Sequence, residues 1–107
     1  MAAVNATINE PNAFPQRCSY LRVAVPDVES TDLRRHFSKV NAFISAARAA
    51  GGKTLVHCSA GMSRSVSLAL AYLIAAEGMP LIDAFRLIKS KRSIVAPNPS
   101  FMRQCAE

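Results

Sequence analysis

Residues 56–65 read VHCSAGMSRS, an apolar strand that leads through a loop of small residues into a strongly helical segment. Cys58 and Arg64 flank five residues, four of which are small. A loop of this composition can curl until its backbone N–H groups point at one centre, and such groups at a helix N-terminus attract anions. The stretch therefore predicts a phosphate-binding loop, made of Ser59, Ala60, Gly61, Met62, Ser63 and Arg64.

Cys58 lies at the base of this loop, where the thiolate is favoured over the thiol. The amide N–H groups, the helix dipole and the Arg64 guanidinium all stabilise negative charge on the sulfur, so we expect Cys58 to be ionised near neutral pH. The planar fork of Arg64 can hold two phosphoryl oxygens through the transition state. The Ser65 hydroxyl can donate a hydrogen bond to the sulfur. This bond would stabilise the thiolate when water breaks a cysteinyl-phosphate intermediate. His57 is predicted to brace the loop and not to act as a base.

Cleavage of a phosphate ester also needs a proton donor for the departing substrate oxygen. Neither Cys58 nor Arg64 can supply that proton. Three carboxylates compete in the loop after the predicted second strand: Asp27, Glu29 and Asp32. Asp32 suits a helix start, where an acidic side chain complements the dipole. Asp27 directly follows the strand, which places it at the sheet edge from which the phosphate loop emerges. Asp27 is therefore the predicted general acid, and the alternative is that it only forms a turn after proline.

The hydrophobic periodicity predicts alternating strands and helices. Apolar residues between 31 and 50 recur on one helix face, and residues 64–77 are apolar nearly all round, as in a central buried helix. Gly51 and Gly78 are predicted to end these helices. Strand, helix and buried strand in succession predict a parallel pair with a right-handed crossover, and hence an α/β fold with a parallel central sheet flanked by helices. The predicted strands are 2–6, 19–25 and 53–57, and the predicted helices are 31–50, 64–77, 80–91 and 100–107.

The composition narrows the classes to which the protein can belong. The 107 residues are 50% hydrophobic, which indicates one globular domain spanning 1–107. No apolar run approaches the length that spans a bilayer, and the first residues lack a secretory pattern. The three cysteines, an odd and unpatterned set, argue against a disulfide framework. These features predict a cytoplasmic or nuclear protein that does not bind membranes.

The net charge of +6 can steer the protein towards anionic partners. Nucleic acid is one such class of partner. The basic residues, however, are dispersed along the chain and are not interleaved with the aromatic residues of a base-stacking platform. We therefore predict that the protein does not bind nucleic acid.

The string His57-Cys58, five residues, Arg64-Ser65 resembles the signature loop of the cysteine-dependent protein phosphatases, and its ending resembles the dual-specificity branch. The resemblance implies a cysteine-based phosphatase-like fold, and it implies that Asn98 helps to hold the catalytic loop. Domains of this family normally carry a strand, a helix and a further strand before the point where this sequence starts, so the catalytic domain is expected to be N-terminally incomplete. Further matching positions are Val4-Asn5-Ala6, Tyr20, Asp27, the run 55–73, Ala84-Phe85, Arg92, Pro97-Asn98, Phe101 and Gln104.

The resemblance also implies a reaction. A dual-specificity phosphatase hydrolyses phosphotyrosine, phosphoserine and phosphothreonine in phosphorylated proteins through a cysteinyl-phosphate intermediate, without a metal or other cofactor. Two alternatives remain: a phosphate-recognising interaction module without turnover, and a phosphatase of the same fold that acts on phosphoinositides or RNA triphosphate ends. Relatives that act on such polyanions tend to carry lysine or arginine within the loop, where this sequence has Ser59, Ala60, Met62 and Ser63.

Overall fold

The structure, a computed structural model, describes residues 2–59, 63–92 and 95–106. Strands and helices alternate along much of this length. In chain order the elements are β1 (Ala2–Asn5), β2 (Ser19–Arg22), a 3₁₀ turn (Arg34–His36), α1 (Phe37–Ala49), β3 (Thr54–His57), α2 (Arg64–Glu77), α3 (Leu81–Lys91) and α4 (Pro99–Ala106).

The described strands form one parallel sheet in the order β2-β1-β3. In this register Val4 of β1 lies opposite Leu21 of β2 and Val56 of β3, and these three side chains face the core formed with α1 and α2. The predicted α/β fold with a parallel central sheet is confirmed. The second and third predicted strands are parallel but are not neighbours, because β1 lies between them.

The prediction that residues 53–57 form a buried strand is wrong. Leu55 is 54% exposed, and the neighbouring Val56 is only partly buried. Among the described residues β3 pairs with β1 alone, so it lies at an edge of the sheet. A short apolar run predicts a strand, but it does not distinguish an edge strand from a central one.

The first helix begins later than predicted. Residues 31–33 lie outside it, and α1 starts only at Phe37 after the 3₁₀ turn. Thr31 instead closes the preceding loop, because its Oγ1 donates to the carbonyl of Pro26 at 3.0 Å. Such a bond from a side chain to the backbone competes with helix formation. The interpretation of Asp32 as a helix-start residue is therefore wrong.

Helix α2 is the centre of the fold and has the bounds that the sequence predicts, Arg64–Glu77. It packs against α1, α3, α4 and β3. Gly78 follows it with φ of 68°, and Gly51 follows α1 with φ of 81°, the left-handed conformation that favours glycine. Arg64 is thus the first residue of a helix that packs against several other elements.

None of the helices in the described ranges combines the length and the apolar character that crossing a bilayer requires.

Candidate active site

The two ends of the predicted phosphate loop lie close together, where β3 ends and α2 begins. The Cys58 thiol donates a hydrogen bond to Ser65 Oγ at 3.2 Å, whereas seven extended residues span about 24 Å. Both side chains are buried, and Cys58 is 9% exposed. The structure therefore brings together the predicted nucleophile and its predicted partner. The intervening Ala60, Gly61 and Met62 lie outside the described residues, so their contacts with phosphate stay predictions.

The hydrogen bond between Cys58 and Ser65 is compatible with both the thiol and the thiolate form of the sulfur. In the thiol form the sulfur donates, as in the structure. When the sulfur is ionised, the Ser65 hydroxyl can rotate and donate to it, because a hydroxyl is both donor and acceptor. Cys58 also lines a cavity of about 290 Å³, whose wall includes His57, Ser59 and Arg92.

Arg64 has hydrogen-bonding capacity left for an anion. Its Nη1 donates to the carbonyl of Val25 at 2.9 Å, and its Nη2 donates to Ser59 Oγ at 3.2 Å. Its Nε is buried and has no partner among the described residues. A buried donor without an acceptor costs roughly 1–3 kcal/mol. A phosphate in the loop would satisfy Nε and take a second bond from Nη2, the bidentate geometry that guanidinium favours.

Asp27 lies in the loop that follows β2, and two hydrogen bonds link it to the phosphate loop. Its Oδ1 accepts from Asn98 Nδ2 at 2.9 Å. The backbone N–H of Asn98 in turn donates to Ser63 Oγ at 2.9 Å. The bond from Arg64 to Val25 connects the same two loops a second time. The predicted acid and the predicted arginine are therefore held in one network.

Asn98 has a second function that the sequence analysis missed. Its Oδ1 accepts the backbone N–H of Phe101 at 2.9 Å, so Asn98 caps the N-terminus of α4. Helix α4 begins at Pro99, one residue before the predicted start, because proline is well suited to the first helical position. An asparagine followed by proline ahead of an amphipathic segment was the signal for this cap. The loop-holding role implied by the resemblance has a physical basis in the bond to Ser63.

The hydroxyl of Ser63 is engaged with Asn98 and its carbonyl with α2. Ser63 is buried, and its carbonyl accepts from the backbone N–H of Ser67 at 2.8 Å and from Ser67 Oγ at 2.7 Å. These bonds leave the backbone N–H of Ser63 as its predicted contact with phosphate. The His57 carbonyl accepts from Ala6 N–H at 2.8 Å, which positions the residue before Cys58. Bracing by the His57 imidazole stays a prediction.

Three basic residues lie in and just after the 3₁₀ turn that follows the Asp27 loop. Arg34, Arg35 and Lys39 lie within six residues of one another. Burial lowers the pKa of His36, and the charges of Arg35 and Lys39 lower it further against the opposing effect of Asp32. The lowered pKa reduces the protonated fraction of His36, so the arginines and the lysine supply most of the positive charge of this turn. Segment 27–39 also carries three acidic side chains, those of Asp27, Glu29 and Asp32, so its formal charge is balanced.

Within the described ranges, no cluster of three or more His, Cys, Asp or Glu side chains is arranged to hold a metal ion.

Comparison with known proteins identifies relatives of this arrangement. The family model "Dual specificity phosphatase, catalytic domain" matches residues 1–107. Human dual specificity protein phosphatase 1 is 40% identical over 103 residues, which cover 96% of this chain and 28% of that protein. Human protein phosphatase Slingshot homolog 1 is 42% identical over 104 residues, which cover 97% of this chain and 10% of that protein.

Solved structures agree with the sequence comparison. The crystal structure of human DUSP28 matches with a TM-score of 0.93 at 36% identity, over 97% of this chain and 70% of that one. The chain thus spans 28% or less of these two curated relatives, and most of the solved domain.

Proposed function

Since the chain belongs to the family of dual specificity phosphatase catalytic domains, we propose that it hydrolyses phosphate esters of tyrosine, serine and threonine in proteins. The family resemblance predicted from the signature loop is confirmed by this match. The observation that carries the proposed activity is the contact of the buried Cys58 sulfur with Ser65, next to an Arg64 Nε that has no partner within the described part of the chain.

In the first step the Cys58 thiolate attacks phosphorus. A sulfur–phosphorus bond forms as the bond from phosphorus to the substrate oxygen breaks, and Asp27 protonates that oxygen. The bond from Asn98 Nδ2 engages Asp27 Oδ1, which makes Oδ2 the oxygen that carries the proton. Arg64 and the loop N–H groups stabilise the charge on the phosphoryl oxygens.

In the second step water attacks the cysteinyl-phosphate. The Asp27 carboxylate accepts a proton from the water, the sulfur–phosphorus bond breaks, and inorganic phosphate forms. Cys58 leaves as a thiolate, which the Ser65 hydroxyl stabilises by donating a hydrogen bond. Arg64 and the amides provide the positive charge, so this scheme needs no metal.

Phosphate release from an aryl phosphate and from phosphopeptides tests the proposal. Cys58→Ser is expected to abolish turnover but to retain binding of phosphopeptide, since the oxygen is a much weaker nucleophile and the loop is otherwise unchanged. Cys18→Ser is the matched control, because Cys18 is only partly buried and lies outside the site. Its turnover is expected to equal that of the parent protein.

Two results would contradict the proposal. If the parent protein binds phosphopeptide but releases no more phosphate than Cys58→Ser, the chain is a recognition module. If it releases phosphate from phosphoinositides or RNA triphosphate ends and not from phosphopeptides, the substrate class is wrong.

A further inference from the structure

Gln104 of α4 holds the backbone at the end of the loop that carries Asp27. Its Oε1 accepts the backbone N–H of Arg34 at 2.7 Å, and its Nε2 donates to the carbonyl of Thr31 at 2.9 Å. Nε2 also donates to Ser100 Oγ at 3.1 Å, one helical turn earlier on α4. The carboxamide thus uses its oxygen and both of its hydrogens, and the bond to Ser100 orients the side chain towards the loop.

Thr31 links Gln104 to the backbone around Asp27, because its own hydrogen bonds close the loop 26–31. Thr31 Oγ1 donates to the carbonyl of Pro26 at 3.0 Å, and its backbone N–H donates to the carbonyl of Val28 at 3.1 Å. Asp27 is therefore enclosed between Pro26 and Val28, two residues that Thr31 binds directly. A displacement of Thr31 moves the backbone on both sides of Asp27.

Helix α4 holds the Asp27 loop at two points. Asn98 binds the carboxylate itself, at the N-terminus of the helix. Gln104 binds the end of the loop, six residues and about 9 Å further along the helix axis. Leu33 lies between the two backbone positions that Gln104 binds and is 0% exposed, so the same segment is also anchored in the core.

We propose that Gln104 is a positioning residue for proton transfer by Asp27, an inference that rests on the proposed phosphatase activity. Gln104 does not contact the reacting atoms in this arrangement. It acts through Thr31 and keeps Asp27 Oδ2 where the leaving oxygen of the substrate arrives. Proton transfer by a positioned acid contributes roughly 10²–10⁴-fold to rate. Loss of the contact with Gln104 is expected to remove a part of this factor, about 10-fold or more.

The test compares substrates that differ in their need for a proton. Gln104→Leu removes both bonds to the loop, and kcat/KM reports the first displacement. With phenyl phosphate, whose leaving group is weakly acidic, we expect kcat/KM to fall about 10-fold or more. With dinitrophenyl phosphate, whose leaving group departs as an anion, we expect less than about a 2-fold loss. Arg103→Gln is the matched control, since Arg103 is an exposed neighbour on α4.

A double-mutant cycle separates positioning from general damage. In an Asp27→Asn background the acid is already lost, so Gln104→Leu is expected to cause no further selective loss with phenyl phosphate. Gln104→Glu is the second variant if Gln104→Leu does not fold. It retains an acceptor for the N–H of Arg34 but replaces the donor that faces the carbonyl of Thr31, and it is expected to give the same selectivity between the two substrates.

The outcomes distinguish this inference from the function on which it rests. Equal losses with both substrates, or unchanged kinetics in a folded Gln104 variant, overturn the positioning role and leave the phosphatase activity intact. Absence of turnover in the parent protein above the level of Cys58→Ser overturns the proposed function and this inference with it.

Discussion

Replacement of Asn98 by aspartate separates two functions that this residue combines. The Asn98 amide oxygen caps α4 through the N–H of Phe101, and its amide nitrogen binds the carboxylate of Asp27. Aspartate keeps the capping oxygen and suits the positive end of the helix dipole. It places a second carboxylate against Asp27 where a donor had been. Alanine at the same position removes both bonds.

The expected changes in stability and Tm follow from these hydrogen bonds. Loss of the cap in Asn98→Ala is expected to cost about 1 kcal/mol and to lower Tm by about 4–8 °C. Asn98→Asp is expected to lose less stability than Asn98→Ala, because a capping oxygen is still present and its negative charge at the helix N-terminus offsets the repulsion from Asp27. In both variants the backbone N–H that Ser63 accepts is retained, so the phosphate loop keeps that anchor.

The effect on catalysis differs from the effect on stability. Asn98→Asp is expected to reduce kcat/KM for phenyl phosphate by about 5-fold or more, because repulsion of about 1 kcal/mol between exposed carboxylates displaces Asp27. Thermal unfolding and steady-state kinetics on the two variants measure both quantities. If Asn98→Asp loses as much stability as Asn98→Ala, the capping argument is refuted. If it retains the kinetics of the parent protein, the contact with Asp27 has no part in proton transfer.

Two further predictions concern buried groups, Ser65 in α2 and Cys105 in α4. Ser65→Ala removes a hydrogen bond to a charged sulfur, worth about 1.5–3 kcal/mol, so the second displacement should slow about 10–100-fold. Rapid-mixing experiments should then show a burst of alcohol followed by slow turnover, and a single slow phase without a burst would argue against this role. Burial raises the pKa of Cys105 to about 11 from an ordinary value of 9.0, so its contribution to stability is complete below pH 9 and is lost as the pH rises through 11. The urea midpoint should therefore fall more between pH 9 and 11 than that of Cys105→Ala, and parallel pH dependences of the two proteins would contradict the assignment.

The elements predicted best are those whose signals are local. Helix α2 has its predicted bounds because an apolar, helix-favouring run is followed directly by Gly78. Helix α3 agrees for a similar reason, since Pro80 precedes it and lysines occupy its last turn. The start of α1 was predicted less well, because Thr31 forms bonds with its own loop and with Gln104 that no helical periodicity reveals.

Local sequence signals also do not predict the solvent exposure of β3. The composition of residues 54–57 predicts a strand, and the strand is present. Whether such a strand is buried depends on what pairs with its outer edge and covers its outer face. That is a property of the sheet as a whole, which is why Leu55 is exposed where burial was predicted.

The sequence alone predicts the nucleophile, the arginine and the spacing of an anion-binding loop, because all of these lie within ten consecutive residues and depend on short-range backbone geometry. Only the tertiary structure decides how the predicted acid, Asp27, is positioned. Asp27 is held by Asn98 and its loop by Gln104, more than seventy residues away along the chain. Those contacts exist because the packing of α4 against the core, with Phe101 fully buried, brings the two segments side by side.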